Sequence, residues 1–155
     1  MSVIWVMPMY PSPQRDDGYD ISDFVNINPD YGTVEDFRRF VDRAHALGLG
    51  VILDVVYNHL GPDGNYLATF SPHYFDRSRT TDWGDPLDFD GPHARAVRDF
   101  FVANAGYWID EFHLDGLRLD ATQQVFDDSP THILTEIAER VRAMAFGRPT
   151  IIVAE

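Results

Sequence analysis

Three carboxylates, Asp54, Asp120 and Glu155, stand at or near the ends of three short apolar runs, GVILDVV (50–56), GLRLDAT (116–122) and TIIVAE (150–155). Two carboxylates facing one bond divide the labour of acetal cleavage: one attacks the anomeric carbon while the other protonates the leaving oxygen. Asp120 and Glu155 are the candidates for that pair. Arg118 lies two residues before Asp120, so on an extended strand both side chains project from one face, and Leu117, Leu119 and Ala121 from the other. An isolated Arg-x-Asp is equally explained by a buried structural ion pair, because desolvated charges persist when paired. Beside a reacting centre the same guanidinium keeps a nucleophilic carboxylate ionised and oriented.

Such residues act together only if three strand ends meet at one rim, and the surrounding pattern supplies the elements. Residues 3–7 are apolar on both alternating faces, as in a strand covered on both sides, which implies a parallel sheet. The segment 10–32, rich in Pro, Asp and Asn, reads as loop. Thr33, with Asp36 three residues on, caps a helix carrying Val34, Phe37, Phe40, Val41, Ala44 and Leu47, which Gly48 ends. Residues 50–56 form the next strand. An irregular insertion, 57–92, follows; with Tyr66, Phe70, Tyr74, Phe75, Trp83 and Phe89 it is too aromatic for a disordered linker. Val97, Phe100, Phe101, Ala105, Trp108, Ile109 and Phe112 define a second helix before the strand 116–122. Ser129-Pro130 is the expected cap of a third helix with Ile133, Leu134, Ile137 and Val141, stopping at Gly147 before the strand 150–155. This α/β alternation fits an open doubly wound sheet, or about half of a (β/α)₈ barrel of roughly 250 residues. No Gly-rich phosphate loop follows any strand, which tells against a nucleotide-binding sheet. Asp54, Asn58, His59, Arg118, Asp120 and Glu155 all fall toward C-terminal strand ends, the rim where such folds bind ligands.

The 155 residues suffice for one domain with a real core, at 45% hydrophobic. Twelve arginines and no lysine against 25 acidic residues give a net charge of -13, which repels nucleic-acid backbones and anionic lipid and suits a neutral substrate. The absence of cysteine excludes disulfides and thiolate metal sites and accords with a cytoplasmic protein. The opening MSVIWVMPMY has no basic flank, is too short to span a bilayer and breaks at Pro8, so it reads as a buried strand rather than a signal peptide.

The segments DVVYNH (54–59), GLRLDAT (116–122) and VAE (153–155) resemble the first three signature regions of glycoside hydrolase family 13, the α-amylase family. The resemblance implies a partial (β/α)₈ barrel, strands two to five, over residues 1–155, with 57–92 as a short B-domain-like insertion after the third barrel strand. It also implies a retaining mechanism with Asp120 as nucleophile, Glu155 as general acid/base and Arg118 as their partner. His59 would hydrogen-bond the sugar and Asp54 would support the site. Asn58 is a calcium ligand in some members, but no clear set of companion oxygens accompanies it, so no cofactor is expected. The loop RDDGYDISDF resembles that of the family's exo-acting α-glucosidases and trehalose synthases, where Asp16 and Tyr19 would close the pocket around a terminal glucose. Residues 57–128 are instead most similar to the branch that releases trehalose from maltooligosyltrehalose. The expected substrate is thus an α-glucan or trehalose-capped oligosaccharide; α-glucosidase-like, trehalose-synthase-like or branching activity, and a non-catalytic carbohydrate-binding fragment, stand as alternatives. The family's third acid would lie past Glu155, so the chain is expected to be catalytically incomplete alone, with open barrel edges that favour self-association. His45, His73, His93, His113 and His132 lack ligand spacing and are expected to be solvated or core residues.

Overall fold

The structure is a computed structural model and describes residues 2–155. Four strands, β1 (Ser2–Val6), β2 (Leu49–Val55), β3 (Gly116–Leu119) and β4 (Ile151–Ala154), form one parallel sheet in chain order. Helix α1 (Val34–Ala46) connects β1 to β2, the short α2 (Leu67–Phe70) and α3 (Ala94–Glu111) lie between β2 and β3, and α4 (Ile133–Met144) connects β3 to β4.

The register pairs Trp5 with Ile52, Asp54 with Arg118, and Arg118 with Val153. Paired residues share a face, and the strand period of two sends their neighbours to the other. Val51, Leu53, Val55, Leu117 and Leu119 therefore enter the core with Phe37 and Val41 of α1, Phe101 and Trp108 of α3, and Ile137 and Val141 of α4. The charged residues are left together on the opposite face. At Gly116 a Cβ would stand 1.7 Å from the Ile151 carbonyl oxygen, so the approach of β4 to β3 requires glycine.

Local chemistry fixes the helix ends. Thr33 and Asp36 form a reciprocal capping box at α1, a device worth about 1 kcal/mol. The structure moves the start of α4 from the expected Ser129-Pro130 to Ile133. His132 accepts from the Leu134 N–H, and the Asp127 carboxylate accepts from the Ile133 N–H. Ser129 and Thr131 are taken up by the side chain of Arg98, so they hold the preceding loop rather than cap the helix.

Two further expectations change. Strand 3–7 is not covered on both sides: β1 and β4 are the sheet's edges, and Trp5 is 51% exposed. The third strand stops at Leu119 because Ala121 adopts φ 43°, a left-handed conformation that turns the chain out of the ladder just after Asp120.

The loops are fixed by side chains. Phe24 packs edge-on against Phe100 and Phe101 of α3, and Asn104 donates to the Phe24 carbonyl at 2.8 Å while accepting from the Tyr57 hydroxyl at 2.7 Å. The polar segment after β1 is thereby clamped to α3. In the insertion, buried Leu87 and Phe89 supply the anchor, and an antiparallel bridge joins Phe75 to Leu87. Among the described residues no helix is long and apolar enough to cross a membrane, and no group of three or more His, Asp or Glu is placed to hold a metal ion. His45 pairs with Asp115 at 2.8 Å, and the His73 and His93 rings lie tilted at 40° with centroids 4.0 Å apart.

Candidate active site

Asp54, in β2, is fully buried beneath the charged face. Nη1 of Arg118, its partner across the β2–β3 ladder, donates to both Asp54 oxygens at 2.8 and 2.9 Å. The Trp5 indole N–H and the Tyr19 hydroxyl each donate to Asp54 Oδ2 at 3.1 Å. Burial pushes the Asp54 carboxyl up, and although Arg118 and Tyr19 oppose that, burial prevails.

The same guanidinium reaches the other two acids. Nη1 donates to Asp120 Oδ1 at 2.6 Å and Nη2 forms an ion pair with Glu155 Oε2 at 3.0 Å, with the Trp5 ring centre 5.4 Å from the guanidinium carbon. Burial works against the Arg118 charge, but Asp54 and Asp120 outweigh it and raise the pKa further above the ordinary arginine value. One permanent cation therefore gathers carboxyl groups from β2 and from the ends of β3 and β4. Asp120 is held by its backbone as well, since its N–H bonds to the Val55 carbonyl at 3.0 Å. Glu155 Oε2 also accepts from the Ala121 N–H at 3.0 Å, so the left-handed turn after Asp120 supplies a donor to the second acid.

Asn58 fixes a tautomer. Its Nδ2 donates to the backbone oxygen of Asp120 at 2.9 Å and to Oδ2 at 3.1 Å, and both are pure acceptors in this setting. The amide oxygen must then face His59, where it meets Nδ1, so Nδ1 carries the proton. Burial lowers the His59 pKa against the pull of Asp120, Asp16 and Asp20. The ring is neutral near pH 7, and its Nε2 lone pair is left to accept from a hydroxyl. Both ends of the Asn58 amide are engaged within the protein.

Above these groups lies an open cavity of about 180 Å³ lined by Asp16, Tyr19, His59, Trp83 and Asp120. It adjoins a second, of about 360 Å³, lined by Arg15, Asp16, Asp20, His59, Pro62, Asp82 and Trp83. A larger one of about 430 Å³, between the end of β1 and α1, is mostly apolar and contains none of the paired acids. Partial burial and the neighbouring Asp54 push the Tyr19 hydroxyl up to about 12, so it remains a donor at any physiological pH. Every residue singled out in the sequence, Asp16, Tyr19, Asp54, His59, Arg118, Asp120 and Glu155, thus falls in one contiguous network and its cavity. Sequence reasoning missed two members. Trp83 stacks on His59 at 5.9 Å and 20°, and its only signal was an aromatic residue within an acidic turn. Trp5 shares the face of Asp54 through the register, which parity along β1 alone does not reveal.

The family model described as alpha amylase, catalytic domain, matches residues 1–104, two thirds of the chain. The chain belongs to the α-amylase family. Malto-oligosyltrehalose trehalohydrolase of Deinococcus radiodurans is 46% identical over 156 residues, 100% of this chain and 25% of that protein. The enzyme of the same name from Saccharolobus solfataricus is 46% identical over 91% of this chain and 25% of its own length. In three dimensions, the crystal structure of a Salmonella typhimurium protein assigned as an alpha amylase superposes with a TM-score of 0.91 at 41% identity, over 99% of this chain and 26% of that one. This α-amylase-family chain therefore spans about a quarter of the length of the curated relatives it matches. Its parallel sheet is the corresponding part of a TIM-barrel amylase fold.

Proposed function

We propose that this segment supplies the nucleophile and the acid/base of a retaining α-glycosidase acting on α-glucans, with a maltooligosaccharide capped by trehalose as the substrate class. One observation carries the reading: a buried arginine holds Asp120 and Glu155 on a single guanidinium at the rim of a polar cavity. The substrate class rests on the whole-chain likeness to proteins named trehalohydrolases.

Asp120 attacks the anomeric carbon as Glu155 gives its proton to the leaving oxygen, producing a glycosyl ester; Glu155 then takes a proton from water, which displaces Asp120 with net retention. Arg118 orients Asp120 for attack, Tyr19 holds Asp54 in place beneath, and His59 Nε2 accepts from a sugar hydroxyl. A carboxylate on a guanidinium has no proton to offer that partner, so donation requires Glu155 to turn from Arg118 into the cavity. That turn breaks its contacts with Arg118 and with the Ala121 N–H. Asp16 lies at the cavity wall, where it closes the pocket around a chain-end sugar.

The test uses an active barrel carrying this segment and two substrates. Asp120→Asn is expected to reduce kcat at least about a thousandfold on every substrate. Glu155→Gln should be as damaging on a maltooligosaccharide but much milder on an aryl α-glucoside whose leaving group needs no proton. Equal losses on both substrates with Glu155→Gln would remove it from the acid role.

A further inference from the structure

Trp5 belongs to the network of acids but has no part in the chemistry above. In the register it lies opposite Ile52, two residues before Asp54, and Ile52 lies opposite Gly116, two residues before Arg118. Parity therefore puts Trp5 on the face of Asp54 and Arg118, one row further from the C-terminal rim. The indole reaches those two residues from behind, and it lines neither of the cavities above the acids. Its N–H donates to Asp54 Oδ2 at 3.1 Å, and the Arg118 guanidinium carbon lies over its ring at 5.4 Å.

Both contacts act on one group. A guanidinium donates from its edges and is weakly hydrated elsewhere. Asp54, Asp120 and Glu155 occupy the edges of Arg118, and contacts of that kind alone let the group swing about the carboxylates. The Trp5 ring attracts the cation from outside this set and resists the swing. Its N–H meanwhile fixes Asp54, the carboxylate that receives Nη1 on both oxygens. A displaced guanidinium would pull on Asp120 Oδ1, while Asn58 retains the other oxygen at 3.1 Å, so the nucleophile would rotate. Misplacing a reacting group by about 1 Å costs on the order of a hundredfold in rate.

We propose that Trp5 is a positioning residue: its ring and N–H together hold Arg118 where that arginine aims Asp120 at the anomeric carbon. The inference rests on the glycosidase reading and adds to it a residue that never touches substrate. In an active barrel carrying this segment, Trp5→Leu should lower kcat on maltoheptaose about tenfold per folded molecule with KM unchanged, through loss of the cation–π contact and of one hydrogen bond to a charge. Trp5→Phe keeps an aromatic ring and should stay within about threefold of the native kcat. A residue that only covers the sheet would lower stability in urea titrations and leave kcat per folded molecule alone. Native kcat in Trp5→Leu, a rise in KM that accounts for the loss, or a Trp5→Phe protein no better than Trp5→Leu would overturn the role. A second readout does not depend on turnover. In NMR spectra of arginine-labelled protein, the Arg118 Nε–H, assigned by its loss in Arg118→Met, should be displaced by the ring current in the native protein and in Trp5→Phe but not in Trp5→Leu. The same resonance position in all three would overturn the hold on Arg118 and leave the catalytic assignment intact. Turnover that survives Asp120→Asn would instead sink the glycosidase reading, while a ring-current displacement would leave the hold of Trp5 on Arg118 standing.

Discussion

Two buried arginines hold this fold together, and they differ in what surrounds them. Arg98, on α3, donates to the Phe89 and Thr131 carbonyls at 2.7 and 2.6 Å and pairs with Asp127 at 2.6 Å and Glu136 at 2.8 Å. Its partners come from the end of the insertion, from the loop after β3 and from α4. Every one of them is committed to a helix end or a loop. Arg118 is as deeply placed, but its partners are only carboxylates, and two of them, Asp120 and Glu155, lie beside open space. A buried charge is thus no sign of chemistry in itself. What separates the two networks is that the partners of Arg98 are tied into loops and a helix end, whereas Arg118 leaves Asp120 facing a cavity.

The sharpest way to break that distinction is to remove each guanidinium in turn. Arg118→Met and Arg98→Met each strand a fully buried carboxylate, Asp54 or Asp127, and should each destabilise the fold by about 3–5 kcal/mol in urea titrations. Catalysis should divide them. In an active barrel carrying this segment, Arg118→Met abolishes turnover per folded molecule, while Arg98→Met retains most of it. Comparable turnover in the two folded variants would dissolve the contrast.

A smaller effect sharpens it. Tyr19→Phe removes one of the donors to buried Asp54 and should cost about 1 kcal/mol of stability. In the active barrel it should also lower kcat, because Asp54 and Asp120 share Arg118. A stability loss without any change in kcat would make Tyr19 part of a structural network like that of Arg98.

The smallest expected effect is on pH dependence. The folded-state pKa of His59 lies below the ordinary histidine value of 6.5, so the unfolded chain takes up that proton first as pH falls. Stability attributable to His59 is intact above 6.5 and is lost below it, at no more than about 1.4 kcal/mol per pH unit, levelling off beneath the folded pKa. The carboxyls of Asp127 and Glu136 around Arg98 are held below their ordinary values, because donors and Arg98 outweigh their burial, so their contribution is lost only at more acidic pH, near 4 and below. Urea titrations at pH 7 and pH 5 should therefore show a loss in the native chain that His59→Gln largely removes. An identical loss in both proteins would place the titrating group elsewhere.

The alternation of strands and helices was legible because strand and helix periods are local properties. Runs such as GVILDVV and the Phe101, Ala105, Trp108 spacing set the faces that become the core, and the Thr33–Asp36 pair wrote the start of α1 into four residues. The placement of Asp54, Arg118 and Asp120 on one face followed from strand parity plus parallel register. Three matters lay beyond that reach. The start of α4 was decided by the demand of Arg98 for the atoms of Ser129 and Thr131, a competition between residues about 31 to 33 positions apart. The end of β3 depended on a left-handed alanine that no propensity favours. Trp83 entered the site because the anchoring of Leu87 and Phe89 folds the insertion back over His59. The amino-acid sequence determined which residues could do chemistry and which strands would carry them. Only the tertiary structure decided how one guanidinium is shared among three acids, because that depends on side chains meeting across separate strands at distances no local pattern encodes.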